Sequence, residues 1–249
     1  MQVLFIGPAG SGKSLLTATF SHWLTKHIGV KVGCVNLDPG CTYLPYNPDL
    51  DVREMFTVTG IMEREKLGPN GAMIKAMEMM EERVEELEAS IAEVKADILL
   101  VDTPGQMEVF VFRAAGPRVA EVFKRSGRPV AVYVLDPSLA VNATGLAVAA
   151  SLMVATQLRL RMPTVTVLNK ADQVRGRRVD RLLTDLNGLE NAIVGERLGA
   201  MTDLALNLVS ALRTLARTSG IVKVSAKTGY GMERLYDLCH EAFCECGET

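Results

Sequence analysis

The chain's 249 residues are 48% hydrophobic and 22% charged, enough apolar material for one large α/β unit and too much for a disordered chain. A net charge of -2 gives no electrostatic reason to expect nucleic acid or an anionic membrane as a partner. No segment joins enough consecutive apolar residues to span a bilayer, and the start MQVLFIG lacks a basic flank, so neither membrane span nor signal peptide is expected and the cytoplasm is the expected location.

Met1 to Ile6 is a short apolar run rich in strand formers, and from Leu15 to Leu24 the apolar residues take helical spacing. Between them lies Gly7-Pro8-Ala9-Gly10-Ser11-Gly12-Lys13-Ser14. Strand, G-x-x-x-x-G-K-S and helix, in that order, form a phosphate-binding P-loop in the context that confirms it. Its glycines admit backbone conformations that turn successive N–H groups inward around a polyphosphate. The helix behind it aims its positive end at the same anion. Gly7 to Leu15 is therefore assigned to binding a nucleoside triphosphate. Lys13 is placed to reach the β- and γ-phosphates, and the Ser14 hydroxyl to ligate the magnesium ion that accompanies them.

A second strand, Val30 to Leu37, ends in Asp38-Pro39-Gly40. Ligand sites in open parallel sheets lie beyond the carboxyl ends of strands, so Asp38 belongs near the phosphates. There it could orient the attacking water or join the magnesium shell; the plain alternative is a turn-forming Asp before Pro. Cys41 to Asp51, with Pro45 and Pro48, reads as irregular. After a mixed stretch from Val52 to Leu67, Gly68-Pro69-Asn70-Gly71 marks a break. From Ala72 to Val94, residues Met73, Met77, Met80, Val84, Leu87 and Ile91 recur every three or four positions, the pattern of one long amphipathic helix. That stripe suits a core, or a dimer surface, since Met adapts to irregular apolar contacts.

Ala96 to Val101 is a third, wholly apolar strand ending in Asp102-Thr103-Pro104-Gly105-Gln106. Asp102 is placed to hold magnesium opposite Ser14, and Gly105 to offer its N–H to the γ-phosphate. A fourth strand, Val130 to Leu135, closes in Asp136-Pro137, and the helix from Asn142 to Leu160 is almost uncharged. Such a helix packs between the sheet and another helix, or under a partner subunit. A fifth strand, Thr164 to Leu168, leads into Asn169-Lys170-Ala171-Asp172. The Asp172 carboxylate can accept from the N1–H and amino group of guanine, a donor pair adenine lacks, and the Lys170 stem can lie along the purine. Ile221 to Val224 then leads into Ser225-Ala226-Lys227, placed to contact the purine O6 and ring. Four motifs in this order, each at a strand end, specify GTP.

Arg175 to Ser219 reads as a charged helical excursion within a single domain of 1–249. Its cluster Arg175, Arg177, Arg178 and Arg181 suits a solvated face, with partner binding the alternative. Met232 to Phe243 is a closing helix. The five cysteines, Cys34, Cys41, Cys239, Cys244 and Cys246, lack paired C-x-x-C spacing and read as reduced thiols; the last three, beside His240, leave a zinc site as the alternative. The fold expected is a three-layer α/β P-loop NTPase with a mainly parallel sheet flanked by helices.

On these motifs, together with Gly68-Pro69-Asn70 between Asp38 and Asp102, the chain resembles the GPN-loop GTPases of archaea and eukaryotes along essentially its whole length. Pro8 stands where MinD-like ATPases carry an early P-loop lysine. The resemblance implies magnesium-dependent hydrolysis of GTP to GDP in a homodimer, with a GPN insertion around 52–94. It further implies that Asn70 reaches the γ-phosphate region bound by the other subunit, leaving Asp38 and Gln106 to align water. By analogy, a client in the transcription machinery such as RNA polymerase is implied. A metal-chaperone GTPase and a very slow nucleotide-dependent binding switch are the alternatives.

Overall fold

The computed structural model describes residues 1–137, 142–174, 186–216 and 221–245. Its centre is a parallel sheet of seven strands: β1 (Gln2–Ile6), β2 (Val32–Asn36), β3 (Leu50–Asp51), β4 (Ile98–Asp102), β5 (Pro129–Leu135), β6 (Thr164–Leu168) and β7 (Val222–Lys223). They lie in the order β3-β2-β4-β1-β5-β6-β7. Because all run the same way, the loops that follow β1, β2, β4, β6 and β7 emerge along one edge. Register draws them level: Phe5 pairs with Asp102 on one side and Val132 on the other, and Asn36 also pairs with Asp102.

Both sheet faces are covered, which is why β1, β4, β5 and β6 read as continuous apolar runs. Val3 and Phe5, with Val130, Val132 and Val134, pack under α1 (Lys13–Trp23) and the closing helix Met232–Glu245, through Leu16, Phe20, Leu235 and Cys239. Leu4, Ile6, Ala131, Tyr133 and Leu135 meet the larger core on the opposite face. That core is roofed by α2 (Val58–Glu65), α3 (Pro69–Glu82), α4 (Val84–Glu93), α5 (Met107–Val111), α6 (Ala115–Ser126) and α7 (Ala143–Leu160). The three-layer expectation holds, and the sheet is wholly parallel.

Several local expectations change. The long helix over 72–94 is two helices, broken at Arg83 (φ -106, ψ 22), whose N–H still donates to Met79 O. The bend lets Met73, Met77 and Met80 and then Val84, Leu87 and Ile91 reach one core while both helices pack on α6. The Met stripe is therefore core. The break expected at 68–71 falls earlier, at Lys66–Gly68, where Lys66 takes a left-handed conformation (φ 54). Pro69 is the first residue of α3, a position that needs no N–H, so Pro69, Asn70 and Gly71 form a helical first turn. The sequence reading assigned nothing between Gln106 and Val130, yet α5 and α6 lie there; Gly116 and Pro117 sit in the first turn of α6, where neither breaks it.

The helix α7 corrects the expectation about membranes. Its 18 residues, at mean hydropathy 1.3, meet the length and apolarity of a bilayer span. In this fold Ala149, Ala150, Met153 and Leu160 face the sheet core. Ala143, Leu146 and Ala147 meet Leu189, Ile193, Ala205 and Val209 of α9 (Leu186–Gly195) and α10 (Met201–Ala216). It packs between sheet and helices, the first of the two placements expected. Here α8 denotes the single turn Ala171–Val174, and α11 the closing helix. Of the excursion over 175–219, residues 186–216, with α9 and α10, are described; Arg175, Arg177, Arg178 and Arg181 lie outside the described residues, as does Cys246.

Candidate functional site

The loop from Gly7 to Gly12 wraps the amino end of α1. Gly12, its N-cap, has φ 90, and a Cβ there would stand 2.6 Å from Asn169 Nδ2, so no other residue fits. Lys13 is buried, and its ammonium donates to the loop carbonyls of Gly7 (2.7 Å) and Pro8 (3.1 Å). Burial lowers its pKa, against the pull of Asp102 and Asp38. A phosphate entering the loop therefore meets a cation already held at its centre. Ser11 is fully buried with its hydroxyl oxygen unpartnered, whereas Leu15, in the first turn of α1, is 44% exposed.

Asp102 ends β4 beneath this loop. Burial raises its carboxyl to about 6, opposed by the Ser14 hydroxyl, the Lys13 ammonium and the Tyr46 hydroxyl. Tyr46 donates to Oδ2 (3.1 Å); Oδ1 is buried without any hydrogen-bond partner. A dehydrated carboxylate oxygen left bare beside a serine hydroxyl is the donor set a hard cation takes, so Ser14 and Asp102 fit magnesium. The adjoining Thr103 hydroxyl donates to Phe5 O (2.7 Å), which fixes the loop to β1.

Asp38 bridges two loops. Its Oδ1 accepts from Gly40 N (2.9 Å) and its Oδ2 from Gly105 N (2.8 Å). The amide assigned to the γ-phosphate is thus bonded to Asp38, and a phosphate taking it must displace that carboxylate. Asp38 is itself held by Asn36, whose Oδ1 accepts from Asp38 N (3.0 Å) and whose amide donates to Asp51 (2.8 Å). Asn70 is exposed on the first turn of α3, with Gln106 Nε2 donating to its Oδ1 across 3.4 Å within the same chain. Lys13, Ser14, Asp38, Asn70, Asp102, Gly105 and Gln106 thus gather at one end of the cleft.

The other end is stitched together. The buried Asn169 amide donates to Ser11 O (2.8 Å), and its oxygen accepts from Ala226 N (3.1 Å), joining three loops in one side chain. Thr19 of α1 adds a bond to Ala226 O (2.6 Å). Lys170, at φ 57, donates to the buried Asp136 Oδ2 (2.7 Å), which fixes the end of its side chain. Ser225 Oγ donates to Asp172 Oδ1 (2.6 Å), while Lys227 is exposed at the rim. A carboxylate oriented by a hydroxyl, beside a fixed lysine stem, can read a purine edge that offers two donors.

Sequence reasoning missed Tyr46, Asn36 and Asp136. Only Asp136 carried a signal, an Asp closing an apolar strand in the same row as the others. Among the described cysteines, Cys34 and Cys239 are buried and Cys244 lies 3.6 Å from His240 Nδ1, while Cys41 borders the site, its N–H donating to Asp38 O (3.4 Å).

A family model described as "Conserved hypothetical ATP binding protein" matches residues 5–245. The chain is 34% identical over 252 aligned residues to the GPN-loop GTPase PAB0955 of Pyrococcus abyssi, covering 100% of this chain and 99% of that protein. It is 29% identical over 245 residues to GPN-loop GTPase 1 of Dictyostelium discoideum, covering 95% of this chain but 60% of that one. The crystal structure of PAB0955, a GTPase in apo form, matches this fold with a TM-score of 0.85 over 98% of each chain.

Proposed function

The chain belongs to the GPN-loop GTPases, and from that premise we propose that it is a magnesium-dependent homodimer in which the GPN turn of one subunit serves the phosphates of the other. GTP binding and hydrolysis are the activity of the family. Guanine is favoured over the adenine that the matching family's description names, because its N1–H and amino group offer the Asp172 carboxylate, oriented by Ser225, a donor pair that adenine lacks. Water attacks the γ-phosphorus in line with the departing GDP oxygen, while Lys13 and the loop amides hold the charge spreading over the phosphoryl oxygens. Magnesium, bound through Ser14 and Asp102, would neutralise the β- and γ-oxygens. Asp38 and Gln106 flank the same end of the cleft and are the groups that align water.

The observation that carries the dimer reading is the position of Asn70. It is exposed, on a helical first turn, at the rim beside Gln106 rather than inside the cleft. Two copies facing each other across a two-fold axis through that rim would bring each Asn70 to the other's γ-phosphate. A neutral amide there positions and donates without neutralising charge. The Gln106–Asn70 contact within one chain favours a second reading, in which Asn70 sets Gln106 of its own subunit. Hydrolysis by Asn70→Ala, alone and mixed with Lys13→Ala, separates them. Activity low alone and regained in the mixture marks action across the dimer; low in both marks action within one chain; normal activity alone removes Asn70 from the mechanism.

Two further parts of the proposal stand on the sequence: a place in the cytoplasm, from a chain start that lacks a basic flank, and a protein client in the transcription machinery, from the family resemblance. Pull-downs in both nucleotide states that return no polymerase subunit would remove the client. Metal delivery has less support, since the described residues hold no group of three or more metal-binding side chains. Burial also raises the thiol pKa of Cys34 and Cys41, opposite to what a thiolate ligand needs. A very slow switch would show as turnover far below nucleotide exchange in the same assay.

A further inference from the structure

Tyr46 belongs to none of the nucleotide-binding motifs. It sits on the irregular segment before β3, its ring packed against the core beneath β1 and β2. The segment is anchored just beyond it, where Asp49 Oδ2 accepts from Cys34 N (2.8 Å) and Asp49 N donates to Cys34 O (2.7 Å). From that footing the hydroxyl donates to Oδ2 of Asp102, 56 residues later, at 3.1 Å. The other oxygen, Oδ1, is buried and bare. A carboxylate gripped at one oxygen cannot swing, so its second oxygen is presented in a fixed direction. The core packing alone would be served by phenylalanine; what the hydroxyl adds is its bond to the Asp102 carboxylate.

We propose that Tyr46 is a positioning residue for the metal-binding carboxylate, fixing Asp102 so that Oδ1 faces the ion, and that this bond ties the order of residues 41–49 to metal occupancy. The inference rests on the magnesium reading above and deepens it.

The test is Tyr46→Phe, which keeps the ring and its packing. Magnesium chloride is titrated into full-length protein holding the fluorescent nucleotide mant-GDP, and nucleotide affinity is measured separately in EDTA. The half-saturating magnesium concentration should rise about tenfold, the low end for loss of a ligand's outer partner, with affinity in EDTA unchanged. A midpoint within twofold of wild type overturns the assignment, as does an equal loss of affinity in EDTA, which would mark general damage. If magnesium leaves nucleotide binding by wild type unaltered, the magnesium reading fails and the inference goes with it, a result distinct from the other two. For the second half, Tyr43 is 78% exposed and offers a chymotrypsin site inside the segment. Magnesium with GDP should slow cleavage there in wild type and not in Tyr46→Phe; equal protection in both overturns the coupling.

Discussion

The loops after β6 and β7 bond to one another: Asn169 joins Ser11 to Ala226, Ser225 holds Asp172, and Asp136 holds Lys170. The loops after β1, β2 and β4 crowd Lys13, Asp38 and Asp102 into a small volume and leave Ser11 Oγ and Asp102 Oδ1 buried without partners. The two ends of one cleft thus obey different rules. At the end proposed for the base, a preorganised frame costs little, because each buried polar group among the described residues finds a partner in the protein. At the end proposed for the phosphates, the protein holds groups whose natural partners are an anion and a cation. Burial pressure shows in the shifted pKa values: Lys13 is pushed down and Asp102 up, each away from its charged form. Charge arriving with the ligand relieves both.

The contrast can be broken at either end. Lys13→Ala should have the largest effect, lowering GTP hydrolysis at least about a hundredfold, as removal of a charge-stabilising donor does. Single-turnover assays read it; near-normal turnover would mean the loop amides suffice. Next comes Asp172→Asn at the base end. Loss of the carboxylate should weaken GTP binding by about 1–3 kcal/mol while hardly moving the melting temperature, since Asp172 is exposed. Xanthosine triphosphate, with a carbonyl where guanine has its amino group, should bind the variant better than GTP does. Calorimetric titrations with both nucleotides check this, and an unchanged GTP preference would sink the assignment of Asp172. The smallest expected effect sharpens the frame itself. Asn169→Ala orphans the Ala226 N–H and the Ser11 carbonyl, costing about 1–3 kcal/mol of stability. A drop of about 2–4 °C in melting temperature per kcal/mol would be seen without nucleotide. If stability holds and only nucleotide affinity falls, Asn169 is a contact rather than a stitch.

How legible each end was follows from the distance over which its determinants act. The P-loop, D-T-P-G-Q, N-K-A-D and S-A-K stretches were readable because a strand end, a tight turn and a few side chains within eight residues define each one. Lys13 and Asp102 are buried together as that reading requires. Tyr46 was not readable, since nothing near it in sequence hints that its hydroxyl meets a carboxylate 56 residues later. The same holds for Asn36, which reads as an ordinary strand residue until β3 brings Asp51 beside it. The break at Arg83 was hidden because helical spacing continues across it, and α7 passed for no membrane span only because its arginine and polar residues interrupt the run.

The sequence by itself therefore determined the parallel α/β class, the order of the nucleotide loops and the chemistry each can offer, because these rest on local spacing and on apolar runs buried from both sides. Only the tertiary structure decided which loop holds which: Asp38 on Gly105, Tyr46 on Asp102, Asn169 between Ser11 and Ala226, and the GPN turn as the first turn of a helix at the rim. Those contacts join residues far apart in the chain, and their partners are chosen by sheet order and register, which no local pattern encodes.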